Sequence, residues 1–331
     1  MKLLRRLLLL CVLAALALAG AAAWWLHRPL DLASPTVELS VEPGMSPRAI
    51  AQAWVAAGVQ TSPWLLYEWF RWSGQARRIR AGSYEVTAGT TPMALLDKMV
   101  LGDETLVTTR LIEGWTFRQF RDELARAEGL RADTAAMSDA QIMEALGRPG
   151  LHPEGRFFPD TYAYSRGSSD LAVLRRALHA MDRQLAAAWA QRAADLPLRT
   201  PDEALILASI VEKETGLDAD RGLVAGVFVN RLRIGMRLQT DPSVIYGLGA
   251  SFDGNLRRRD LETDTPYNTY TRGGLPPTPI AMPGKRSLLA AVNPEPTRAL
   301  YFVARGDGSS VFSETLSEHN RAVNRYQRRG P

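Results

Sequence analysis

Two glutamates close an otherwise apolar run in the segment LASIVEKETG, residues 207–216. In a helix, at about 100° per residue, three apolar side chains share one face and Glu214 lies between them. The three are Leu207, Ile210 and Val211. Glu212 flanks this apolar stripe. A carboxyl group held against apolar side chains loses hydration, so its pKa rises and it can serve as a general acid near neutral pH. The alternative is a frayed helix end, stopped by Gly216 and surrounded by water.

Polar and aromatic residues form a second group after this segment. They are Gln239, Thr240, Asp241, Tyr246, Tyr267, Asn268 and Tyr270. Aromatic rings can stack on the apolar faces of sugar rings, and amides can hydrogen-bond to hydroxyl and acetamido groups. The group directly follows a candidate buried carboxylate, which favours a cleft for a glycan chain. For any one of these residues alone, an ordinary place in a turn is the alternative.

Other kinds of chemistry find little support in the sequence. Cys11 is the single cysteine, which excludes an intramolecular disulfide, and the four histidines lack the spacing of metal ligands. No G-x-S-x-G elbow occurs, and the segment GLGASFDG has Phe252 where a dinucleotide fingerprint needs its third glycine. The net charge is +5, but the arginine clusters lack the interleaved aromatics of a nucleic-acid binder. We expect no metal, no cofactor and no nucleic-acid partner.

The N-terminal segment has the composition of a membrane anchor. Residues 7–26 are 20 positions without a charge, a helix of about 30 Å that matches a bilayer core. Lys2, Arg5 and Arg6 precede the run, and a Trp24-Trp25 pair stands at its far end. The positive-inside rule places the N-terminus in the cytoplasm and the chain after residue 28 across the membrane. A signal peptide cleaved near ALAGAAA is the alternative, although the apolar run continues past that site.

A short strand–turn–helix pattern recurs between this anchor and about residue 130. Alternating polarity predicts strands at residues 37–41, 83–86 and 106–112. Each is followed by a helix start with glycine two residues before a serine or threonine, at Gly44, Gly89 and Gly114. The hydroxyl can cap the free amides of the first helical turn, and two of the starts add proline at the next position. The pattern predicts a compact α+β region.

The chain becomes mainly helical after about residue 130. Periodicity predicts helices at residues 170–196, 202–216 and 223–232. Loops rich in Pro, Gly, Tyr and Asn are expected at residues 239–249 and 265–284. The last elements are a strand at residues 299–305, a short strand around Val311 and Phe312, and a helix from about Leu316. The predicted fold class is α+β in three regions: an anchor at 1–28, a small domain at 29–130 and a mainly helical domain at 131–331.

Several long motifs together resemble the YceG-like endolytic murein transglycosylases. They are EGRFFPDTY, ASIVEKET, VFVNRLRIGMRLQTDPSVIYGLG and DLETDTPYNTYTRGGLPPTPIAMPG. The resemblance covers essentially the whole chain and implies a LysM-like region at 29–130 and a catalytic domain after it. It also implies that Glu214, the second glutamate of EKET, is the catalytic acid. Substrate-binding candidates are then Glu212, Asn230, Gln239, Asp241, Tyr246, Tyr267, Asn268 and Tyr270.

The resemblance further implies cleavage of the MurNAc–GlcNAc β-1,4 bond in nascent peptidoglycan strands. The products would carry 1,6-anhydro-MurNAc ends, and cleavage would end strand elongation. The implied partners are glycan strands, the inner membrane and peptidoglycan synthases, with the catalytic domain in the periplasm. Two alternatives stay open: a non-catalytic peptidoglycan-binding scaffold, and a muramidase-type hydrolase that uses a second carboxylate. The candidates for that second group are Asp160, Glu212 and Asp241.

Overall fold

The chain forms two compact units in the computed structural model. The first comprises Met1–Thr108, Glu128–Leu130 and Ala163–Ser168, and the second comprises Thr109–Ala127, Arg131–Tyr162 and Ser169–Pro331. The structure describes residues 2–42, 44–103, 106–214 and 217–327, with residues 2–4 and 40 described by their backbone alone. Helices and sheets are mixed in the described part of the chain, in agreement with the predicted α+β class.

The N-terminal helix α1 runs over Lys2–His27. Its segment Arg5–His27 is 23 residues long, has a mean hydropathy of 2.5 in its most apolar window, and is not buried within the protein. This is the length and composition of a single membrane-spanning helix. The predicted N-terminal apolar helix is therefore present.

Besides α1, the first unit is built on short antiparallel strand pairs and three further α-helices. The strands are β1 (Asp31–Leu32), β2 (Thr36–Val41), β3 (Val59–Gln60) and β4 (Gly82–Thr87). The helices are α2 (Pro47–Ala57), α3 (Pro63–Trp72) and α4 (Pro92–Leu101). Strand β2 pairs with β4 along its whole length, from Thr36 opposite Thr87 to Val41 opposite Gly82, and β1 pairs with β3. The core contains fully buried Trp54, Phe70 and Tyr84.

The predicted helix starts are confirmed in detail. Ser46, Thr91 and Thr116 each accept a hydrogen bond from the amide three residues later, which satisfies a free donor of the first turn. The glycine two residues before each cap has a positive φ, between 75° and 97°. Glycine adopts this backbone without steric cost, so it can redirect the chain into the helix. The sequence reasoning omitted α3, although Pro63 stands in its first turn.

The predicted boundary at residue 130 differs from the division into units. Residues Thr109–Ala127, which contain helix α5 (Phe117–Arg126), belong to the second unit. Phe117 explains this placement because its ring stacks on Phe157 with centroids 4.9 Å apart, and both rings are buried.

The second unit is mainly helical. Its further helices are α6 (Asp139–Ala145), α7 (Asp170–Ala190), α8 (Pro201–Glu214), α9 (Asp218–Arg233), α10 (Asp241–Leu248), α11 (Arg258–Glu262), α12 (Lys285–Val292) and α13 (Leu316–Tyr326). Strands β7 (Tyr301–Ala304) and β8 (Ser310–Ser313) pair with each other, and so do β5 (Leu106–Arg110) and β6 (Thr161–Ser165), each of which has residues in both units. The strand, helix and loop predictions for residues 265–327 hold except for α12, which they omitted.

One helix prediction and one loop prediction in this unit need correction. Helix α7 was predicted to end at residue 196, but it ends at Ala190. Beyond that point the amide of Ala193 donates to the carbonyl of Val292 on α12. The segment 239–249 was predicted as a loop, but it contains α10, with Pro242 in the first turn, where proline is compatible with a helix. The predicted stop of α8 at Gly216 lies outside the described residues.

Helix α8 lies at the centre of the second unit. It packs against α7, α9, α10 and α12, and the predicted stripe of Leu207, Ile210 and Val211 is fully buried. Helix α9 lies close to the backbone of the segment after α12, because a Cβ atom at Gly226 would come within 2.7 Å of the carbonyl oxygen of Glu295. These contacts hold the C-terminal turn of α8 in place.

Candidate active site

A cavity of about 480 Å³ opens beside the C-terminal end of α8. Helices α8 and α9 contribute Glu214, Phe228 and Arg231 to its lining, and the chain around α10 contributes Leu238, Gln239, Asp241 and Tyr270. The hairpin β7–β8 contributes Tyr301, Phe302, Val303, Ala304 and Ser310, and the α13 region contributes Leu316, His319, Val323 and Gln327. The cavity therefore combines one carboxyl at the end of a core helix with polar and aromatic side chains from distant parts of the chain.

Glu214 continues the buried stripe of α8 and keeps partial exposure to the cavity. Burial raises its pKa to about 7, and the nearby charge of Asp241 acts in the same direction. Thr240, whose hydroxyl donates to Oε1 of Glu214, and the positive charge of Arg231 both oppose this rise. Near neutral pH the carboxyl is thus divided between its acid and its carboxylate forms, which suits a group that must first give and then accept a proton.

A buried hydroxyl cluster fixes the turn that carries Thr240. The amide of Thr240 donates to Oγ1 of Thr269 (3.0 Å), and the hydroxyl of Ser243 donates to the carbonyl of Thr240 (2.9 Å). All three side chains are buried. Just before them, Gln239 has a φ of 48°, a left-handed conformation that is unfavourable for residues with a Cβ. The cluster therefore holds the turn in a conformation that the backbone alone would disfavour.

A second carboxylate, Asp241, lines the same cavity. It is the first residue of α10, and the hydroxyl of Tyr270 donates to its Oδ1 at 2.5 Å. Burial and this bond to Asp241 raise the pKa of Tyr270, so its hydroxyl stays protonated as a donor. Thr240 occupies the N-cap position of α10, and the Asp241 side chain interacts with Tyr270.

Arg231 supplies a buried positive charge at the cavity. Its Nε donates to the carbonyl of Leu300 (2.7 Å) and its Nη1 donates to the carbonyl of Leu238 (2.7 Å). The guanidinium also lies over the ring of Tyr301, 5.3 Å from its centroid. Among the described residues, Arg231 forms no ion pair within 4.0 Å, so its charge acts on the cavity and on Glu214.

Glu212 belongs to a different polar cluster. Its side chain is only 8% exposed and its Oε2 accepts hydrogen bonds from the amide of Gly284 (2.9 Å) and the hydroxyl of Ser287 (2.6 Å). Arg221 lies 3.5 Å from the same oxygen. Glu212 does not line the cavity. We therefore propose that it fixes α8 to α9 and α12, in place of the substrate contact expected from the sequence.

Of the other predicted binding residues, Gln239, Asp241 and Tyr270 line the cavity and the rest lie outside its lining. The amide of Asn230 donates to the carbonyls of Thr297 (2.8 Å) and Ala299 (3.1 Å). Asn268 is fully buried, and its amide donates to the carbonyls of three residues, Asp260, Leu261 and Thr263. Both side chains therefore hold loops in place.

Tyr246 and Tyr267 pack against each other edge to face, with ring centroids 4.9 Å apart. Tyr246 also hydrogen-bonds to Glu154, a carboxyl that is only 3% exposed and accepts from the amide of Phe117 (3.0 Å). Burial raises the pKa of Glu154 to about 7, against the opposing effect of these donors. Glu154 is thus a second protonatable buried acid, outside the lining of the cavity.

The sequence reasoning missed Arg231, Tyr301 and His319. Arg231 directly follows Asn230 in a motif that was singled out, so its position was within reach. The rings of Tyr301 and His319 stack with centroids 5.2 Å apart, and burial lowers the pKa of His319. Nothing local in the sequence connects these two residues to Glu214. In the described part of the chain, no three His, Cys, Asp or Glu side chains are grouped to hold a metal ion.

The fold and the cavity are accompanied by a match to a known family. The YceG-like family model matches residues 39–325, and the chain therefore belongs to the YceG-like family. A crystal structure of a YceG-like protein from Listeria monocytogenes is similar, with a TM-score of 0.55 and 29% identity. The similarity covers 86% of this chain and 98% of that one.

Two relatives carry the name endolytic murein transglycosylase. The protein of Bacillus subtilis strain 168 is 31% identical over 317 residues, which cover 88% of this chain and 85% of the relative. The protein of Streptococcus pneumoniae serotype 2 is 28% identical over 279 residues, which cover 74% of this chain and 50% of the relative.

Proposed function

We propose that this protein is an endolytic murein transglycosylase that cleaves the MurNAc–GlcNAc β-1,4 bond within peptidoglycan strands. The observation that carries the proposal is Glu214, a single carboxyl with a pKa near 7 at the edge of a polar and aromatic cavity. The names of the two relatives support the same activity. Acid catalysis alone contributes roughly 10²- to 10⁴-fold to such a reaction.

In the first step, neutral Glu214 gives its proton to the glycosidic oxygen. The bond between this oxygen and C1 of MurNAc breaks, and positive charge develops at C1. The leaving GlcNAc keeps the proton as its new 4-hydroxyl group. The raised pKa serves this step, because a fully ionised carboxyl would have no proton to give.

In the second step, the Glu214 carboxylate takes the proton of the C6 hydroxyl of the same MurNAc. The freed O6 attacks C1 and closes a 1,6-anhydro ring, which restores the neutral acid. Since the nucleophile is part of the substrate, proximity replaces a second catalytic side chain. The hydroxyl of Thr240 and the charge of Arg231 stabilise the carboxylate between the two steps.

A muramidase-type hydrolase is the second candidate, and Asp241 favours it. This carboxylate lines the same cavity as Glu214, and a hydrolase uses a second carboxylate to attack C1 or to activate water. In the proposed transglycosylase, Asp241 instead orients Tyr270. The two reactions differ in product, because hydrolysis leaves a reducing MurNAc that is one water heavier than the anhydro form.

We propose further that α1 is retained as a single-pass anchor of the inner membrane, with a cytoplasmic N-terminus and a periplasmic catalytic unit. The catalytic unit would then meet nascent glycan strands near the synthases that extend them, and its cleavage would end their elongation. A mature chain beginning near residue 22 would contradict this arrangement.

We also propose that the first unit is LysM-like and holds glycan without taking part in the chemistry. The support is its order β2–α2–β3–α3–β4, in which β2 and β4 pair antiparallel and β3 is only two residues long. A purely glycan-binding scaffold would share this unit but would not need the acid at Glu214.

The test is digestion of purified glycan strands by the full chain in detergent, with product masses measured. We expect anhydro ends from the unmutated protein and a loss of cleavage of at least 100-fold in Glu214→Gln. Glu144→Gln, an equally conservative change at an exposed position on α6, is the matched control. Reducing ends would establish the hydrolase instead, and equal activity in both variants would exclude Glu214 as the acid.

A further inference from the structure

The hydrophobic core of the first unit begins immediately after the apolar helix α1. Only Arg28 and Pro29 separate the end of α1 at His27 from Leu30, which is 7% exposed and belongs to the unit's hydrophobic core. The amide of Leu30 is also fixed, since it donates to the carbonyl of Thr90 at 2.8 Å. No flexible linker therefore lies between α1 and the folded unit.

The last turns of α1 themselves contact this unit. Trp25 packs against the hydrophobic core of the unit, and α1 packs against α4. Trp24, on the neighbouring position, is exposed and carries the guanidinium of Arg28 over its ring at 5.1 Å. Tryptophans at the end of an apolar helix lie at the level of the lipid headgroups. If α1 spans a membrane, the core of the first unit therefore lies against the headgroup layer.

Helix α3 exposes large apolar side chains in this same unit. Trp72 is 77% exposed, Trp64 is 65% exposed and Leu65 is 39% exposed, while Leu66 and Phe70 fill the core. Leu65, Trp69 and Trp72 follow each other at helical spacing, so they share one face. Exposed tryptophans are costly in water and favoured at a membrane interface, where the ring is buried and the polar N–H stays hydrated.

The face of α3 is linked to the end of α1 by hydrogen bonds. Nε1 of Trp69 donates to the carbonyl of Pro92 at 3.1 Å. Pro92 begins α4, two residues after Thr90, which accepts from Leu30. The side of α3 that carries Trp69 and Trp72 thus adjoins the point where the chain leaves α1.

Positive charges accompany these aromatic side chains. The guanidinium of Arg71 lies over the ring of Trp72, 5.3 Å from its centroid, but its charge is paired with Glu68 at 2.7 Å, and Oε2 of Glu68 also accepts from Nε1 of Trp72 (3.0 Å). Arg77 and Arg78 follow in a short 3-10 helix, are exposed, and form no ion pair among the residues that the structure describes. Arginines beside tryptophans complement the phosphates of anionic lipid headgroups.

We infer that α3 is a second membrane contact, which inserts Trp64, Leu65 and Trp72 into the headgroup layer beside α1 while Arg77 and Arg78 bind lipid phosphates. The inference requires that α1 spans the membrane, but it is independent of the proposed enzymatic activity. A helix held to the bilayer in this way fixes the first unit against the membrane surface, which a single-pass anchor alone would leave free to tilt.

The test uses the full chain in nanodiscs of phosphatidylethanolamine and phosphatidylglycerol, with and without bromine on the upper acyl carbons. Subtracting the fluorescence of Trp72→Phe from that of the unmutated chain gives the signal of Trp72 alone. The same subtraction with Trp24→Phe gives the signal of the α1 boundary, which is the matched reference. Near-ultraviolet circular dichroism of each variant confirms that its fold is intact.

We expect the Trp72 signal to lose a fraction of its intensity in brominated lipid comparable with the loss of the Trp24 signal. Replacing Arg77 and Arg78 together with glutamine should reduce the quenching of Trp72 and leave that of Trp24 unchanged. A Trp72 signal with water-exposed emission and no quenching, next to a quenched Trp24, would refute the contact and leave α3 for a protein partner. An unquenched Trp24 would refute it as well, because α1 would then lie outside the bilayer.

Discussion

The hydroxyl of Thr240 should set the pH at which Glu214 loses its proton. It donates to Oε1 of Glu214 and thereby opposes the rise in pKa that burial causes. Thr240→Val keeps the shape of this fully buried side chain and removes only that donor. The amide of Thr240 keeps its bond to Thr269, so the turn should hold.

The magnitude follows from the strength of a hydrogen bond to a charged group, about 1.5–3 kcal/mol. One pKa unit corresponds to about 1.4 kcal/mol, so loss of the full bond would raise the pKa of Glu214 by roughly one to two units. We expect the lower end, because the carboxyl keeps contact with water in the cavity. The pKa would then move from about 7 to about 8.

The assay is strand cleavage as a function of pH. Since Glu214 must be protonated to act as the acid, the alkaline limb of the profile should move up by about one pH unit in Thr240→Val. Ser243→Ala is the control. It removes another hydroxyl from the same buried cluster, one that bonds to Thr240 and Thr269 but not to Glu214. A limb that stays in place in Thr240→Val, or that moves equally in both variants, would refute the assigned role.

Three further outcomes follow from the structure. Burial raises the pKa of Glu154 in the folded state from 4.5 to about 7. Its contribution to stability is therefore fully present below pH 4.5 and is lost as the pH rises through 7. Glu154→Gln should remove up to about 3 kcal/mol of this pH dependence, measured by denaturant unfolding at pH 5 and pH 8. Gln239→Gly should relieve the left-handed backbone and raise the free energy of unfolding by about 1 kcal/mol while lowering cleavage, and a fall in stability would contradict this. Glu212→Gln should lower the free energy of unfolding in the same measurement by about 1.5–3 kcal/mol, because Arg221 then keeps only Asp218 as an ion-pair partner, at 3.5 Å. Cleavage per folded molecule should change little, and a stability unchanged within error would count against the buried pair.

The local parts of the fold were predictable because they depend on neighbours in sequence. The caps at Ser46, Thr91 and Thr116 are examples, since each needs only a hydroxyl three residues before an amide. Helix α3 was missed because Trp64 and Trp72 are apolar yet exposed. They place apolar residues outside the buried face and so obscure the helical periodicity. The end of α7 depends on a bond between Ala193 and Val292, which no local pattern could reveal.

The candidate site shows the same limit. The position of Glu214 on the buried stripe follows from the periodicity of α8 alone. Asp241 and Tyr270 were found as candidates because the segments after α8 are rich in polar and aromatic residues. The separation of Glu212 from Glu214 was predicted by helix geometry, but its place beside Arg221 and Ser287 was not, because those partners belong to α9 and α12. Asn268 is of a residue type that binds sugars, and only the structure shows that its amide donates to backbone carbonyls instead.

The wall of the cavity formed by α13 has a consequence for the synthesis of the chain. Glu214 leaves the ribosome well before Leu316, His319 and Val323, which complete the lining of the same cavity. During synthesis, a chain that already contains this carboxyl therefore lacks the part of the lining that the α13 region supplies. The proposed enzyme would become competent only after α13 has docked on β7 and β8.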